Sequence, residues 1–456
     1  MTEAHDKQAA MLRVERSGPL AGTCRVLGDK SVSHRALLFG ALSDGPVQID
    51  GLGRGGDNLS TAGALRALGV SIDVDGDKAQ VVGVGFAGLR AADQALDCGN
   101  SGTTIRLLTG LCAGQPFTTV MVGDASLTRR PMRRLAEPLR QMGAFIDGRA
   151  ELSKPGEVYP PLSVQGGKLR GIRYALPVAS AQLKSALVLA GLQASGRTEI
   201  SEPGQSRDHT ERMLKFLGAP VSADPARNTI TVDPTGWSGR LRATAITVPG
   251  DFSSATFILV AALIVEGSDV TIEGVGINPT RTGALDVLRA MGADLTVEQT
   301  GLAMGEPVAR IRARASRLRG TRVDGLLALR SIDEIPALAV AAAAAEGDTV
   351  FSDLAELRIK ESDRIAALAR ELGRAGVKVG ERRDGFTVSG LGGGPARGGT
   401  VVPEHDHRIA MAGAVLGLCA AAGSQTSVPG EDIATSFPTF AETLRTLGAP
   451  VQSPDA

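Results

Sequence analysis

The side chains of this 456-residue chain best placed to move protons lie in its C-terminal half. In Ser331-Ile-Asp-Glu-Ile-Pro336 two carboxylates, Asp333 and Glu334, stand directly before an Ala-rich run. In Leu357-Arg-Ile-Lys-Glu-Ser-Asp-Arg364 the pair Lys360-Glu361 is followed closely by Arg364. Such carboxylates suit acid–base work, but among cations they are normally ionised. For Glu361 to donate a proton at neutral pH, its site must raise its pKa by excluding water or by adding negative charge. His405-Asp-His-Arg408 invites a metal reading, yet the sequence has no matching cluster elsewhere. No metal is expected, and Arg408 carries more weight than the histidines.

Cationic and Gly-rich segments in the N-terminal half have a different use. Gly28-Asp-Lys-Ser-Val-Ser-His-Arg35 differs from a nucleotide-binding P-loop, because Asp29 separates Gly28 from Lys30 and Gly22 is at the wrong distance. A helix starting near Ser31 puts Lys30 and Ser31 at its positive end with Arg35 just inside, a seat for carboxylate or phosphate. Gly99-Asn-Ser-Gly-Thr-Thr-Ile-Arg106 offers small residues and exposed amides at a helix start. Gly123-Asp-Ala-Ser-Leu-Thr-Arg-Arg-Pro-Met132 sets Arg129 and Arg130 before a helix-initiating proline. Ser180-Ala-Gln-Leu-Lys184 and Ser206-Arg-Asp-His-Thr-Glu211 add further donors. Each segment alone is also compatible with an ordinary capped surface helix.

These residues need a scaffold, and a repeat supplies one. Six times a leucine stands four residues ahead of a glycine followed by Ala or Val: Leu65/Gly69, Leu139/Gly143, Leu214/Gly218, Leu288/Gly292, Leu372/Gly376 and Leu444/Gly448. Apolar residues upstream fall at helical spacing, and alternating strand-like residues follow several of the glycines. The spacings of 74, 75, 74, 84 and 72 residues exceed a solenoid repeat and fit six small α/β subdomains, grouped as two domains of three. The crossover between them is expected near Ile246 to Gly250.

With 49 basic and 49 acidic residues and 3% aromatics, nothing indicates a nucleic-acid partner. The longest apolar runs, Ala255 to Val265 and Ile335 to Ala345, are too short for a membrane span, and Met1 to Ala10 has no apolar signal region. A cytoplasmic protein is expected. The cysteines at 24, 98, 112 and 419 show no metal-ligand spacing and read as reduced, partly buried thiols.

From Lys30 through Phe440 the chain resembles the EPSP synthases, the enolpyruvyl transferases of the shikimate pathway. Gly28-Asp-Lys30, Ser180-Ala-Gln-Leu-Lys184, Arg207-Asp-His-Thr-Glu211 and Asn278-Pro-Thr-Arg281 look like the spellings of the family's second bacterial class. The resemblance implies an α/β fold, a two-domain inside-out α/β barrel in which each domain holds three βαβαββ units. It also implies a discontinuous domain, 1–26 with 247–456, beside 27–246, and an active site in the cleft between the two.

By that resemblance, shikimate 3-phosphate would contact Lys30, Ser31 and Arg35, place its phosphate near Ser180, Ala181 and Arg207, and hold its ring with Gln182, Asp333 and Lys360. Phosphoenolpyruvate would set its phosphate near Lys30, Asn100, Gly102, Arg130 and Gln182, and its carboxylate near Arg364 and Arg408. Asp333, Glu361 and Lys30 would be catalytic. Thr435 stands where the first class has a lysine, and Glu356 where it has an asparagine. Glyphosate would occupy the phosphoenolpyruvate site, with Gly102 leaving open the space that an alanine methyl takes in tolerant second-class members. No cofactor is implied, and a monomer is expected. UDP-N-acetylglucosamine enolpyruvyl transferase, the nearest alternative, usually carries a reactive cysteine in the loop around Gly123 to Met132, which has none here. A noncatalytic anion-binding scaffold would leave Asp333 and Glu361 without a role.

Overall fold

The computed structural model describes residues 11–453; the stretch 1–10, read above for a signal region, lies outside the described residues. All six repeat glycines adopt positive φ, between 82° and 115°, a conformation that strains any residue carrying a Cβ. In every copy the N–H after the glycine donates to the carbonyl of the repeat leucine, from Val70 to Leu65 through Ala449 to Leu444, at 2.9–3.1 Å. The glycine's own N–H donates to the residue three before it. This is the Schellman closure of a helix, and each leucine beneath it is at most 3% exposed. A strand begins two or three residues further on, as in Ser71–Asp75 and Phe145–Arg149.

Among the described residues, six four-stranded sheets repeat one pattern. Leu96–Asp97 runs parallel to Thr118–Val122, which pairs antiparallel with Tyr159–Gln165, which pairs antiparallel with Phe145–Arg149. Arg173–Ala175, Thr198–Ser201, Thr229–Val232 and Val221–Asp224 repeat the order. Three sheets are completed by strands remote in sequence. Ala245–Thr247 lies beside Asp44–Asp50, Ala21–Arg25 beside Asp269–Gly276, and Met11–Glu15 pairs with both Gln425–Pro429 and Val451–Gln452.

The chain divides into two compact units. One comprises the chain up to Val26, Gly250–Thr300 and Ala309 onward; the other comprises Leu27–Pro249 and Gly301–Val308. Within the first, Phe252–Ile264, Ile335–Ala344 and His407–Gly417 pack on one another. They are almost wholly buried, which is why the first two read as continuous apolar runs rather than as amphipathic stripes. The second unit has the corresponding helices Lys30–Ala41, Gly102–Cys112 and Ala181–Gly191. Two of these approach so closely that a Cβ at Gly110 would lie 2.3 Å from the Ala186 carbonyl oxygen. Outer helices such as Arg133–Met142 bury only one stripe, here Leu135, Leu139 and Met142.

That last helix begins later than its proline predicts. Pro131 forces Arg130 into an extended conformation, and the Met132 N–H donates to Val158 O, so a tertiary bond delays helical geometry to Arg133. The four cysteines are free thiols; burial pushes Cys98 and Cys112 up to about 12 and Cys24 and Cys419 up to about 11. Among the described residues no helix is long and apolar enough to cross a membrane.

Candidate active site

In the Leu27–Pro249 unit the expected residues gather at the N-termini of the three inner helices. Asp29 caps the first, accepting from Val32 N at 2.8 Å, and its own N–H is tied to Pro249 O. Lys30 then opens the helix with its ammonium 3.0 Å from Asp57 Oδ2, both side chains part-exposed. Serines cap the other two: Ser101 accepts from Thr104 N and Ser180 from Leu183 N, and neither helix has an acidic residue in its first turn. Neutral caps leave the positive helix ends uncancelled, which favours an approaching anion.

Side chains bind the three termini together. Arg106 Nη1 donates to Gln182 Oε1 at 2.7 Å, and Gln182 Nε2 to Thr103 Oγ1 at 2.9 Å. Asn100 is held between Asp124, to which its amide donates at 2.7 Å, and Arg130, whose Nη2 donates to its oxygen. Gly102 lies between two guanidinia, since a Cβ there would sit 2.6 Å from Arg106 Nη1 and 3.0 Å from Arg130 Nη1. Arg35 is only 3% exposed and donates to Thr210 Oγ1, Ser31 O and Ser185 Oγ. Burial lowers its pKa to about 10, which leaves it protonated at neutral pH. Ser31, Ala181 and Arg207 are part-exposed, whereas Lys184 is turned into the interior.

In the other unit the carboxylates and remaining arginines form one cluster. Arg364 reaches Asp406 through Nε at 2.7 Å, Glu361 through Nη2 at 2.6 Å, and lies 3.6 Å from Asp333 through Nη1. Burial alone would lower its pKa; Asp406 and Glu361 outweigh this and raise it, so the guanidinium stays charged. Lys360 Nζ stands 3.9 Å from Asp333 Oδ1, and Arg408 Nη1 donates to Asp333 O at 2.7 Å. Asp333 and Glu361 therefore share one cation while remaining part-exposed. Thr435 and Glu356 are exposed, and the Thr435 hydroxyl donates to Glu431 O. No group of three or more His, Cys, Asp or Glu able to hold a metal ion occurs among the described residues.

Reading the sequence by segments missed Asp57, Asp124 and Asp406 as partners, because each is joined to its site by tertiary contact. Arg106 was more accessible: it stands four residues after Gly102 and so on the same helix face.

The sequence profile of EPSP synthase (3-phosphoshikimate 1-carboxyvinyltransferase) matches residues 14–444. The chain is 52% identical over 443 residues to the 3-phosphoshikimate 1-carboxyvinyltransferase of Halorhodospira halophila, covering 96% of each. It is 48% identical over 435 residues to that of Brevibacillus brevis, covering 95% of this chain and 99% of the relative. A solved structure of EPSP synthase from Acinetobacter baumannii superimposes with a TM-score of 0.86 at 44% identity, over 97% of this chain and 99% of the other.

Proposed function

The chain belongs to the EPSP synthase family, and from that premise we infer that it is an enzyme transferring the enolpyruvyl group of phosphoenolpyruvate to the 5-hydroxyl of shikimate 3-phosphate. The products are 5-enolpyruvylshikimate 3-phosphate and phosphate, on the route to the aromatic amino acids. Residues of both units act in this reaction, and they work as a monomer in the cytoplasm. Sedimentation and cell fractionation check the last two points.

Shikimate 3-phosphate is held by Lys30, Ser31, Arg35, Ser180, Ala181, Gln182 and Arg207, with Asp333 and Lys360 at its ring. The neutral Ser180 cap and the N–H groups that Arg35 keeps beyond its three bonds support this assignment. Lys30, Asn100, Gly102, Arg130 and Gln182 take the phosphate of phosphoenolpyruvate, while Arg364 and Arg408 take its carboxylate. Fixing two polyanions in one orientation removes much of the entropic barrier between them.

The observation that carries the chemistry is the Asp333–Arg364–Glu361 cluster, two part-exposed carboxylates on one buried cation. Asp333 accepts the proton of the 5-hydroxyl as that oxygen bonds to C2 of phosphoenolpyruvate, and Glu361, assisted by Lys30, protonates C3. A tetrahedral ketal results. The Glu361 carboxylate then recovers a proton from the new methyl group as the C2–phosphate bond breaks, restoring the double bond. The proton on Asp333 leaves with the phosphate, whose developing charge the Lys and Arg side chains stabilise.

Phosphate release from phosphoenolpyruvate tests the reading. It should require shikimate 3-phosphate and should not occur with UDP-N-acetylglucosamine; release with the nucleotide sugar would overturn the acceptor assignment.

A further inference from the structure

Lys184 lies one helical turn past the Ser180 cap, is 1% exposed, and commits its ammonium to groups inside the protein rather than to a ligand. Its three ammonium N–H groups are matched by Glu202 Oε1 at 2.7 Å, Glu211 Oε1 at 2.8 Å and the Ser206 carbonyl at 3.4 Å. The second oxygen of Glu202 accepts from the Ser206 hydroxyl, so Ser206 is gripped at both its backbone and its side chain. Ser206 is immediately followed by Arg207. The intervening stretch between Thr198–Ser201 and His209–Phe216 has no helix or strand to hold it.

Two carboxylates and one ammonium out of water are a weak source of stability. Apolar replacements of such groups are often neutral or stabilising, so a positional role accounts better for their presence. Burial alone would depress the lysine, but Glu211 and Glu202 outweigh it, raising its pKa and keeping it charged. Glu211 also attracts Arg35, which is tied to Ser185 and Thr210 on the same two helices. The ammonium thus joins the helix that starts at Ser180 to the segment that carries Arg207.

We propose that Lys184 is a positioning residue for the phosphate seat of shikimate 3-phosphate, setting Arg207 opposite Ser180 through Glu202 and Ser206. The proposal rests on the assignment of Ser180 and Arg207 made above. It explains a charged residue that neither touches substrate nor takes part in proton transfer.

Steady-state kinetics of the full chain test it. Lys184→Met keeps the apolar stem and removes the ammonium. It should raise KM for shikimate 3-phosphate tenfold or more, with KM for phosphoenolpyruvate and kcat within about threefold of wild type. In an Arg207→Ala background it should add nothing further, because it acts through that residue. If Arg207→Ala alone leaves KM for shikimate 3-phosphate unchanged, the phosphate seat is misassigned and the proposal goes with it. If Arg207→Ala raises that KM while Lys184→Met does not, or shifts both KM values and kcat together, the seat stands and the positioning role is overturned. Should Lys184→Met fail to fold, Ser206→Ala, which deletes one hydroxyl, decides: a selective rise in the same KM supports the proposal and its absence refutes it.

Discussion

Arg364 donates through Nε to Asp406 Oδ2 at 2.7 Å, with 1% and 0% of the two side chains exposed. Asp406 also accepts from the Arg408 backbone N–H and from Ser362 Oγ. One buried carboxylate therefore holds the cation between Asp333 and Glu361 and caps the helix that presents Arg408. Removing one member of a buried pair leaves the other charged and undercompensated.

Asp406→Ala should therefore cost about 3–5 kcal/mol of stability, the usual range for breaking a buried ion pair. Denaturant unfolding with an unchanged m-value reads this directly. A loss below 1 kcal/mol would mean that Glu361 and Asp333 suffice to compensate Arg364.

Asp333→Asn and Glu361→Gln should each lower kcat by about 10²–10⁴-fold, the range for a lost acid or base. Both carboxylates are part-exposed, so the folded state should tolerate the changes, and equilibrium binding of shikimate 3-phosphate should largely survive. Wild-type turnover in either variant would remove that residue from proton transfer.

Acid stability should report on His34, one residue before Arg35. The ring is 1% exposed, with Nδ1 2.7 Å from Thr61 Oγ1. Burial pulls its pKa down to about 3; Asp57 opposes this, while Lys30 and Arg35 add to it. The unfolded chain takes up this proton near pH 6.5 and the folded chain does not, so stability is complete above that pH and falls as pH drops towards 3. Between pH 6.5 and 5 the loss from this group should be about 1.5 kcal/mol. His34→Gln should flatten the slope over that window; an unchanged slope would assign the acid sensitivity to other groups.

The six Leu…Gly phrases made the repeat legible because a Schellman closure needs a particular residue at one backbone position, and such a need is written locally. The helix expected near Ser31 was legible too, although its Asp29 cap makes it begin one residue earlier, at Lys30. Partners such as Asp57 for Lys30 and Asp406 for Arg364 were not, since a pair separated by 27 or 42 residues leaves no spacing to read. Pro131 shows the opposite failure: a correct local signal was delayed by the Met132–Val158 bond. Lys184 looked like an anion donor because its burial is decided by Glu202 and Glu211, on other elements.

Gly102 gives the last prediction. A methyl group there meets Arg106 Nη1 at 2.6 Å and Arg130 Nη1 at 3.0 Å, the far ends of flexible side chains. Gly102→Ala should therefore fold, with the guanidinia displaced. Arg130 is assigned to the phosphate of phosphoenolpyruvate, so the substrate feels the displacement and its KM should rise a few-fold. Glyphosate, the longer molecule expected in the same site, should meet both the moved guanidinium and the methyl itself. Wild type should be inhibited competitively against phosphoenolpyruvate, and Gly102→Ala should weaken glyphosate more than substrate by about 1–3 kcal/mol, the range for one methyl in a tight site. Inhibition constants measured beside the Michaelis constant decide the matter. If both rise by the same factor, the displaced arginines account for the whole effect and the steric discrimination is lost.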